Sequence, residues 1–232
     1  MKIVCVGYLH GAGGAERQII MLANAMAERN NDVHLIALAA FESKYKIDSN
    51  IKIHDLSYIE DKKGNKILNR YKALKAELEL INPDISVHYW MQSAYFCAMM
   101  SKSVIGNVIY SERGDPGDKE YKGILGLIRK LAFTRIDGFV FQSCGARDYF
   151  EDKIKEKSIV IQNSVFLPEN KYIEPCKSRE KKIVNVGRLH PQKNQKVLID
   201  AFAEVCDKYD DYILEIYGDG PLKKDLQDYI NE

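Results

Sequence analysis

The chain has 232 residues, 46% apolar and 29% charged, with 34 Lys and Arg against 33 Asp and Glu for a net charge of +1. That balance gives no electrostatic reason to expect nucleic acid, and no apolar run approaches the ~20 residues of a membrane-spanning helix. The cysteines (Cys5, Cys97, Cys144, Cys176 and Cys206) are scattered without a C-x-x-C pair, which argues against a zinc site or disulfide framework and fits a reducing cytosol.

The N-terminus opens directly into a strand pattern, Lys2 to Val6, with no signal-peptide cleavage region. A glycine-rich turn, Gly7 to Gly14, leads to a helix from about Ala15 to Arg29, with Ile19, Ile20, Leu22, Ala23 and Met26 on its apolar side. Val33 to Ala39 and Ile51 to Leu56 read as strands. Leu74, Leu78 and Ile81 give helical spacing to Leu68–Ile81, and Pro83 terminates that helix. Further strands are expected at Ile85–His88, Val108–Ser111, Phe139–Phe141 and Ile159–Ile161, with helices near Gln92–Lys102, Glu120–Arg135 and Cys144–Phe150. Strands alternating with helices imply an α/β, doubly wound parallel sheet. Leu167 to Lys182, with two prolines and many charges, breaks the pattern. Beyond it come a strand at Ile183–Val186, a helix from about Asn194, a strand ending at Tyr217 and a helix opening at Pro221. The expected organisation is an N-terminal domain over 1–167, a linker over 168–181 and part of a second domain over 182–232, where a typical domain has ~100–150 residues.

The first turn, G-Y-L-H-G-A-G-G-A-E, invites a dinucleotide reading that fails on spacing. Gly11 and Gly13 could begin G-x-G-x-x-G, but the third position is Glu16. No G-K-[ST] occurs, so a P-loop is excluded as well. What remains is a flexible turn and a helix N-terminus at Gly13-Gly14-Ala15-Glu16, where glycines let a substrate approach the backbone; a plain tight turn is the alternative. Glu16 could simply complement the helix dipole. His10, in the same turn, is within reach of a substrate. Ser111-Glu112-Arg113 directly follows a strand and so lies at the ligand edge of the sheet, as contacts to substrate or as a self-satisfied loop salt bridge. Ser143 is an expected helix N-cap. His88 either lines the cleft or sits in the core, His34 and His54 are structural strand residues, and His190 is a turn residue. No histidine or carboxylate pattern supports a metal site. In the second half, Arg188 and Lys193 bracket a strand-to-helix turn after Gly187, an arrangement suited to a diphosphate.

G-R-L-x-x-x-K at 187–193, followed about thirty residues later by Y-G-D-G-P at 217–221, resembles the donor half of family 4 glycosyltransferases. G-G-A-E at 13–16 resembles that family's first loop, and S-E-R-x-D-P at 111–116 resembles its branch that builds bacterial surface polysaccharides. The resemblance implies a GT-B fold of two facing Rossmann-like domains and transfer of a sugar, with retention, from a nucleotide-sugar (UDP-sugar the expected donor) to a glycan or lipid-linked acceptor. Arg188 and Lys193 would be catalytic, neutralising the departing diphosphate. Gly13, Gly14, Gly187, Gly218, Asp219 and Gly220 would bind donor, and His10, Glu16, Ser111, Glu112 and Arg113 would line the acceptor cleft. No cofactor or metal is required, in keeping with the lack of a D-x-D triplet.

The chain departs from the family in two places. No histidine follows the strand before Ser111, so no catalytic histidine carries over. The family's pair of donor-domain glutamates about eight positions apart is also missing, since only Glu204, Glu215 and Glu232 follow Arg188. The donor domain is therefore expected to be truncated and the polypeptide inactive by itself. A non-catalytic glycan- or acceptor-binding module and a nucleotide-sugar epimerase fragment are the alternatives. The expected location is cytoplasmic, with peripheral contact at the inner membrane surface as an option: Glu120–Arg135 reads equally as a basic helix lying on an anionic membrane and as a helix packed on a sheet.

Overall fold

In a computed structural model, the described residues are 1–11, 13–118, 121–165 and 180–231. They fall into two compact units, 1–166 and 167–232. The linker expected over 168–181 lies outside the described residues as far as 179.

The first unit runs β1 (Lys2–Gly7), β2 (His10–Gly11), α1 (Gly14–Glu28), β3 (Asp32–Ala37), β4 (Glu42–Ser43), β5 (Lys52–Asp55), α2 (Lys66–Ile81) and β6 (Ile85–His88). It continues through α3 (Met91–Ala98), α4 (Lys102–Ile105), β7 (Asn107–Glu112), α5 (Ile124–Phe133), β8 (Gly138–Phe141), α6 (Cys144–Asp148), α7 (Asp152–Lys155) and β9 (Ser158–Val160). Seven strands form one sheet in the order β5-β3-β1-β6-β7-β8-β9. Every pairing in it is parallel. Chain order reverses between β1 and β6, and that reversal opens a crevice at the carboxyl edge of the sheet.

The apolar runs of β1 and β3 are buried on both faces, as a parallel sheet covered by helices requires. On one face α1 closes a core of Ile3, Cys5, Ile19, Ile20, Leu35 and Val87. The other face holds a larger core that includes Val4, Leu74, Leu78, Phe96, Tyr110 and Phe141. Local chemistry sets the helix limits. Asn65 accepts from the backbone N–H groups of Ile67 and Leu68 at 3.0 and 3.1 Å to start α2. Asn82, at φ 51°, ends it before Pro83. The helix expected over 92–102 is two, α3 and α4, separated at 99–101. The one expected over 120–135 is shorter at both ends, and residues 119–120 lie outside the described residues. Gly106, at φ +62°, turns the chain into β7 where a Cβ would stand 2.4 Å from the Pro83 carbonyl oxygen.

The second unit consists of β10 (Lys182–Val186), α8 (Gln195–Cys206), β11 (Ile213–Tyr217) and α9 (Lys223–Asn231). β10 and β11 pair in parallel. α8 begins one residue after Asn194, which sits at φ 50° and closes a short 3-10 turn, Pro191–Lys193. α9 begins at Lys223 instead of Pro221, because Leu222 and Lys223 still donate back to the carbonyls of Leu189 and Gly220. Among its described residues only Leu189, Gln195 and Leu226 are buried.

Candidate active site

Two groups of sequence-predicted residues lie at the carboxyl edge of the first sheet. The loop after β1 places Leu9 in the core and leaves His10, Gly13 and Gly14 exposed. The β2 residues His10 and Gly11 pair with Glu42 and Ser43 of β4, which fixes the course of this loop. Glu16 is buried and accepts from the Gly13 N–H at 2.6 Å, so its carboxylate caps α1 and does not face solvent.

Ser111 and Glu112, expected after the strand, are its last two residues, and the end of β7 with the loop that follows divides its side chains between the two faces of the sheet. Glu112 is buried, accepting from the Tyr110 hydroxyl at 3.1 Å and the Gly114 N–H at 2.9 Å. Arg113 stacks over Tyr89 at 4.9 Å and donates to Asn163 Oδ1 at 2.6 Å. Glu112 and Arg113 therefore do not bridge each other. Burial, opposed by the Arg113 charge, pushes the Tyr89 hydroxyl up to about 12. Ser111 is buried and its Oγ has no partner among the described residues. His88 is fully buried with Nε2 3.2 Å from Cys97 Sγ, which makes it a core residue.

Between these loops lies a cluster that sequence reasoning missed. Arg70 of α2 donates to the Tyr8 hydroxyl at 3.3 Å and to Gln92 Oε1 at 3.2 Å, and is anchored by Glu60. Tyr8 also donates to Gln92 and packs edge-on against Trp90, with ring centres 5.8 Å apart. The only sequence signal was aromatic: Tyr8 and Tyr89-Trp90 end the two central strands. Arg70 is invisible at that level because it comes from a distant helix. A cavity of about 470 Å³ lies on the α1 side of the sheet and reaches the β7 end, where Ser111, Arg113 and Tyr89 line it. The rest of its wall is mostly apolar, with Leu22, Val87, Ile109 and Val140, and Gln18 adds a polar side chain.

In the second unit the loops after β10 and β11 are laced together. Gly187 N–H donates to the Tyr217 carbonyl and Leu189 N–H to the Asp219 carbonyl, each at 2.9 Å. This brings Gly187, Arg188, Lys193, Gly218, Asp219 and Gly220 to one end of the two strands. A Cβ on Gly218 would stand 1.9 Å from the Gly187 carbonyl oxygen, and one on Gly220 2.3 Å from that of Leu189. A Cβ on Gly187 meets nothing within 4 Å. Gly218→Ala is therefore expected to part the two loops and speed amide exchange at Leu189 roughly tenfold, whereas Gly187→Ala leaves it unchanged. Site-resolved hydrogen exchange measures both. Arg188 and Lys193 are exposed. The Arg188 contact is a 3.4 Å approach to Gln192 Oε1. Among the described residues no carboxylate pairs with either cation.

Comparison with known proteins gives two family matches. Residues 12–167 match the family described as Glycosyltransferase Family 4. Residues 168–232 match the one described as Glycosyl transferases group 1. A relative from Campylobacter jejuni is 26% identical over 98% of this chain and 64% of its own length. It is named as an α-1,4-N-acetyl-D-galactosaminyltransferase for a GalNAc-GalNAc-diNAcBac-PP-undecaprenol acceptor. An uncharacterized glycosyltransferase from Haemophilus influenzae is 27% identical over 93% of this chain and 61% of its own length. This chain thus spans under two thirds of either relative. Among solved structures, S. aureus TarM with UDP, fondaparinux and α-GlcNAc-glycerol is 12% identical with a TM-score of 0.70, covering 99% of this chain and 74% of that one. Anabaena HepE with UDP is 16% identical with a TM-score of 0.67, covering 100% and 64%. At those identities the likeness shows the fold, which is GT-B.

Proposed function

The chain belongs to glycosyltransferase family 4, and on that premise we propose that it takes part in moving a sugar from UDP to a lipid-linked glycan, with retention at the anomeric carbon. The setting is bacterial surface-polysaccharide synthesis. The N-terminal domain over 1–167 receives the acceptor, and the residues from 182 onward hold the donor. Support for the donor comes from the UDP in the TarM and HepE structures. Support for the acceptor comes from the undecaprenol-linked glycan in the name of the C. jejuni relative. Peripheral attachment to the inner membrane surface, where such an acceptor is anchored, belongs to the same reading.

The observation that carries the proposal is the pair of exposed cations at the laced loops of the second unit, neither with a carboxylate partner among the described residues. When the glycosidic bond to UDP breaks, negative charge builds on the diphosphate. Arg188 would meet two of its oxygens with a planar fork, and Lys193 would add a point charge. The turn that carries them is fixed by the laced loops, so both would lie close to the diphosphate as charge develops. Gly218 and Gly220, which bring the neighbouring loop close, would let the nucleotide approach the backbone.

We further propose that the two described strands of the second unit need further strands beside them, and that the chain by itself transfers little sugar. Strand residues that a parallel sheet ordinarily buries are exposed here: Val184 to 52%, Val186 to 78% and Ile213 to 57%.

Titration calorimetry with UDP tests the donor assignment on the chain itself. Binding is expected for the wild type, with the affinity lowered at least tenfold in the Arg188→Ala/Lys193→Ala variant. Equal affinities in the two proteins would sink it.

A further inference from the structure

The Tyr8–Arg70–Gln92 cluster holds an oriented hydrogen-bond donor with nothing to donate to. It stands where β1 and β6 end side by side, at the reversal of strand order that opens the crevice. Arg70 is anchored through Nη2 to Glu60, and its Nη1 donates to both the Tyr8 hydroxyl and Gln92 Oε1. The Tyr8 hydroxyl donates to the same Gln92 oxygen. Two donors on one carboxamide oxygen fix which way the amide points, so Nε2 is its free end. Among the described residues Gln92 Nε2 has no partner, and it is not one of the buried unpartnered atoms, so it is open to solvent.

Aromatic surface flanks this donor. Trp90, two residues before Gln92, is half-buried and packs edge-on against Tyr8. A Cβ on Gly7 would stand 2.2 Å from Trp90 Cζ3, so a glycine at the end of β1 is what admits the indole here. His10 lies on the other side of Tyr8, with ring centres 6.2 Å apart. A network that only clamped the loop after β1 would account for Arg70 and for the Gln92 oxygen. It would not account for a half-exposed tryptophan beside an unused amide.

The chemistry of the cluster selects its ligand. The Arg70 charge is already paired with Glu60, and burial raises the Tyr8 hydroxyl above its ordinary value, so it stays protonated at neutral pH. The group that Gln92 meets must therefore accept a hydrogen bond without carrying a charge, and must set apolar surface against an aromatic ring. An acetamido group does both, with a carbonyl oxygen for the amide and a methyl for the indole. We propose that Trp90 and Gln92 form a subsite for an N-acetylhexosamine of the acceptor, with Gln92 Nε2 donating to the acetamido carbonyl and Arg70 as the positioning residue that locks the amide. The inference rests on the acceptor reading above and adds the side chains that read its sugar. Its test uses no nucleotide and no donor loop, so sugar binding and UDP binding can fail separately.

Trp90 is the one tryptophan of the chain, so a 15N-labelled sample gives a single indole N–H cross-peak, and that peak reports on the subsite. The 232-residue chain is titrated with methyl N-acetyl-α-galactosaminide and with methyl α-galactoside. The first is expected to move the indole peak saturably, with a Kd in the millimolar range, and the second to bind at least fivefold more weakly for want of the acetamido group. Gln92→Glu keeps an oxygen for Tyr8 and Arg70 but turns the free donor into an acceptor. It should weaken binding of the N-acetyl sugar at least tenfold while the urea midpoint is held or raised, which a purely structural role does not predict. Tyr8→Phe, which removes one of the two donors that hold the amide, should weaken it about threefold, and it tests the idea if Gln92→Glu fails to fold. The proposal is overturned if the N-acetyl sugar gives no saturable shift, if the galactoside binds as tightly, or if folded Gln92→Glu binds like the wild type.

Discussion

Arg188→Ala is expected to lower the rate of sugar transfer by about 10²–10³ in an active protein that carries these loops, with little change in the acceptor KM. The reason lies in how the arginines of this protein are used. Arg70, Arg113 and Arg129 are each committed: to Glu60, Tyr8 and Gln92, to Tyr89 and Asn163, and to Tyr121 and Pro116. Removing any of them breaks packing. Arg188 holds only a 3.4 Å contact with Gln192, so its loss should leave folding unchanged and reveal its chemistry. Lys193→Ala should cost a comparable factor. If both cations hold one diphosphate, the double variant should fall short of the product of the single effects. Arg188→Lys, which keeps charge but loses the two-pronged geometry, should recover part of the rate. Wild-type turnover in Arg188→Ala would remove these loops from the mechanism.

The second large effect is acid sensitivity. Burial alone pushes the His88 imidazole down to about 3 from its ordinary 6.5. Below about pH 6.5 the unfolded chain therefore takes up a proton that the folded chain refuses until about pH 3. The unfolded state binds more protons across that window, so stability falls as pH falls through it. At ~1.4 kcal/mol per pH unit the loss near pH 5 is about 2 kcal/mol. His34 works in the same direction, since burial lowers its pKa too, with its ring 2.9 Å from that of His54. Urea unfolding at pH 7 and pH 5 measures the drop. In His88→Gln the slope should lose about one proton. An unchanged slope would show that the buried imidazole is not the group responsible.

The fold was legible in the sequence because parallel strands buried on both faces are nearly continuous apolar runs, as Ile3–Val6 and, apart from His34, Val33–Ala37 are. The end of α2 was legible because Pro83 punctuates the chain locally, whereas its start, expected at Leu68, lies at Lys66 behind the Asn65 cap. The candidate site was legible only where a motif is local. Arg188, Lys193 and the glycines at 218 and 220 could be named because a strand end and the turn after it occupy a few consecutive residues. Two other features were not readable. Glu16 opens α1 and Glu112 closes β7, and only folding shows that each carboxylate bends back onto a nearby backbone N–H. The Tyr8–Arg70–Gln92 cluster joins three elements far apart in sequence.

By itself, then, the amino-acid order determined an alternating strand and helix topology and a pair of cations suited to a diphosphate, because hydrophobic period and turn chemistry act over a few residues. Tertiary structure decided which side of α5 faces the core. Periodicity defines a stripe but not its direction, and here Arg129 packs inward against the aromatic rings of Tyr121 and Phe150 while five aliphatic side chains of α5 are exposed.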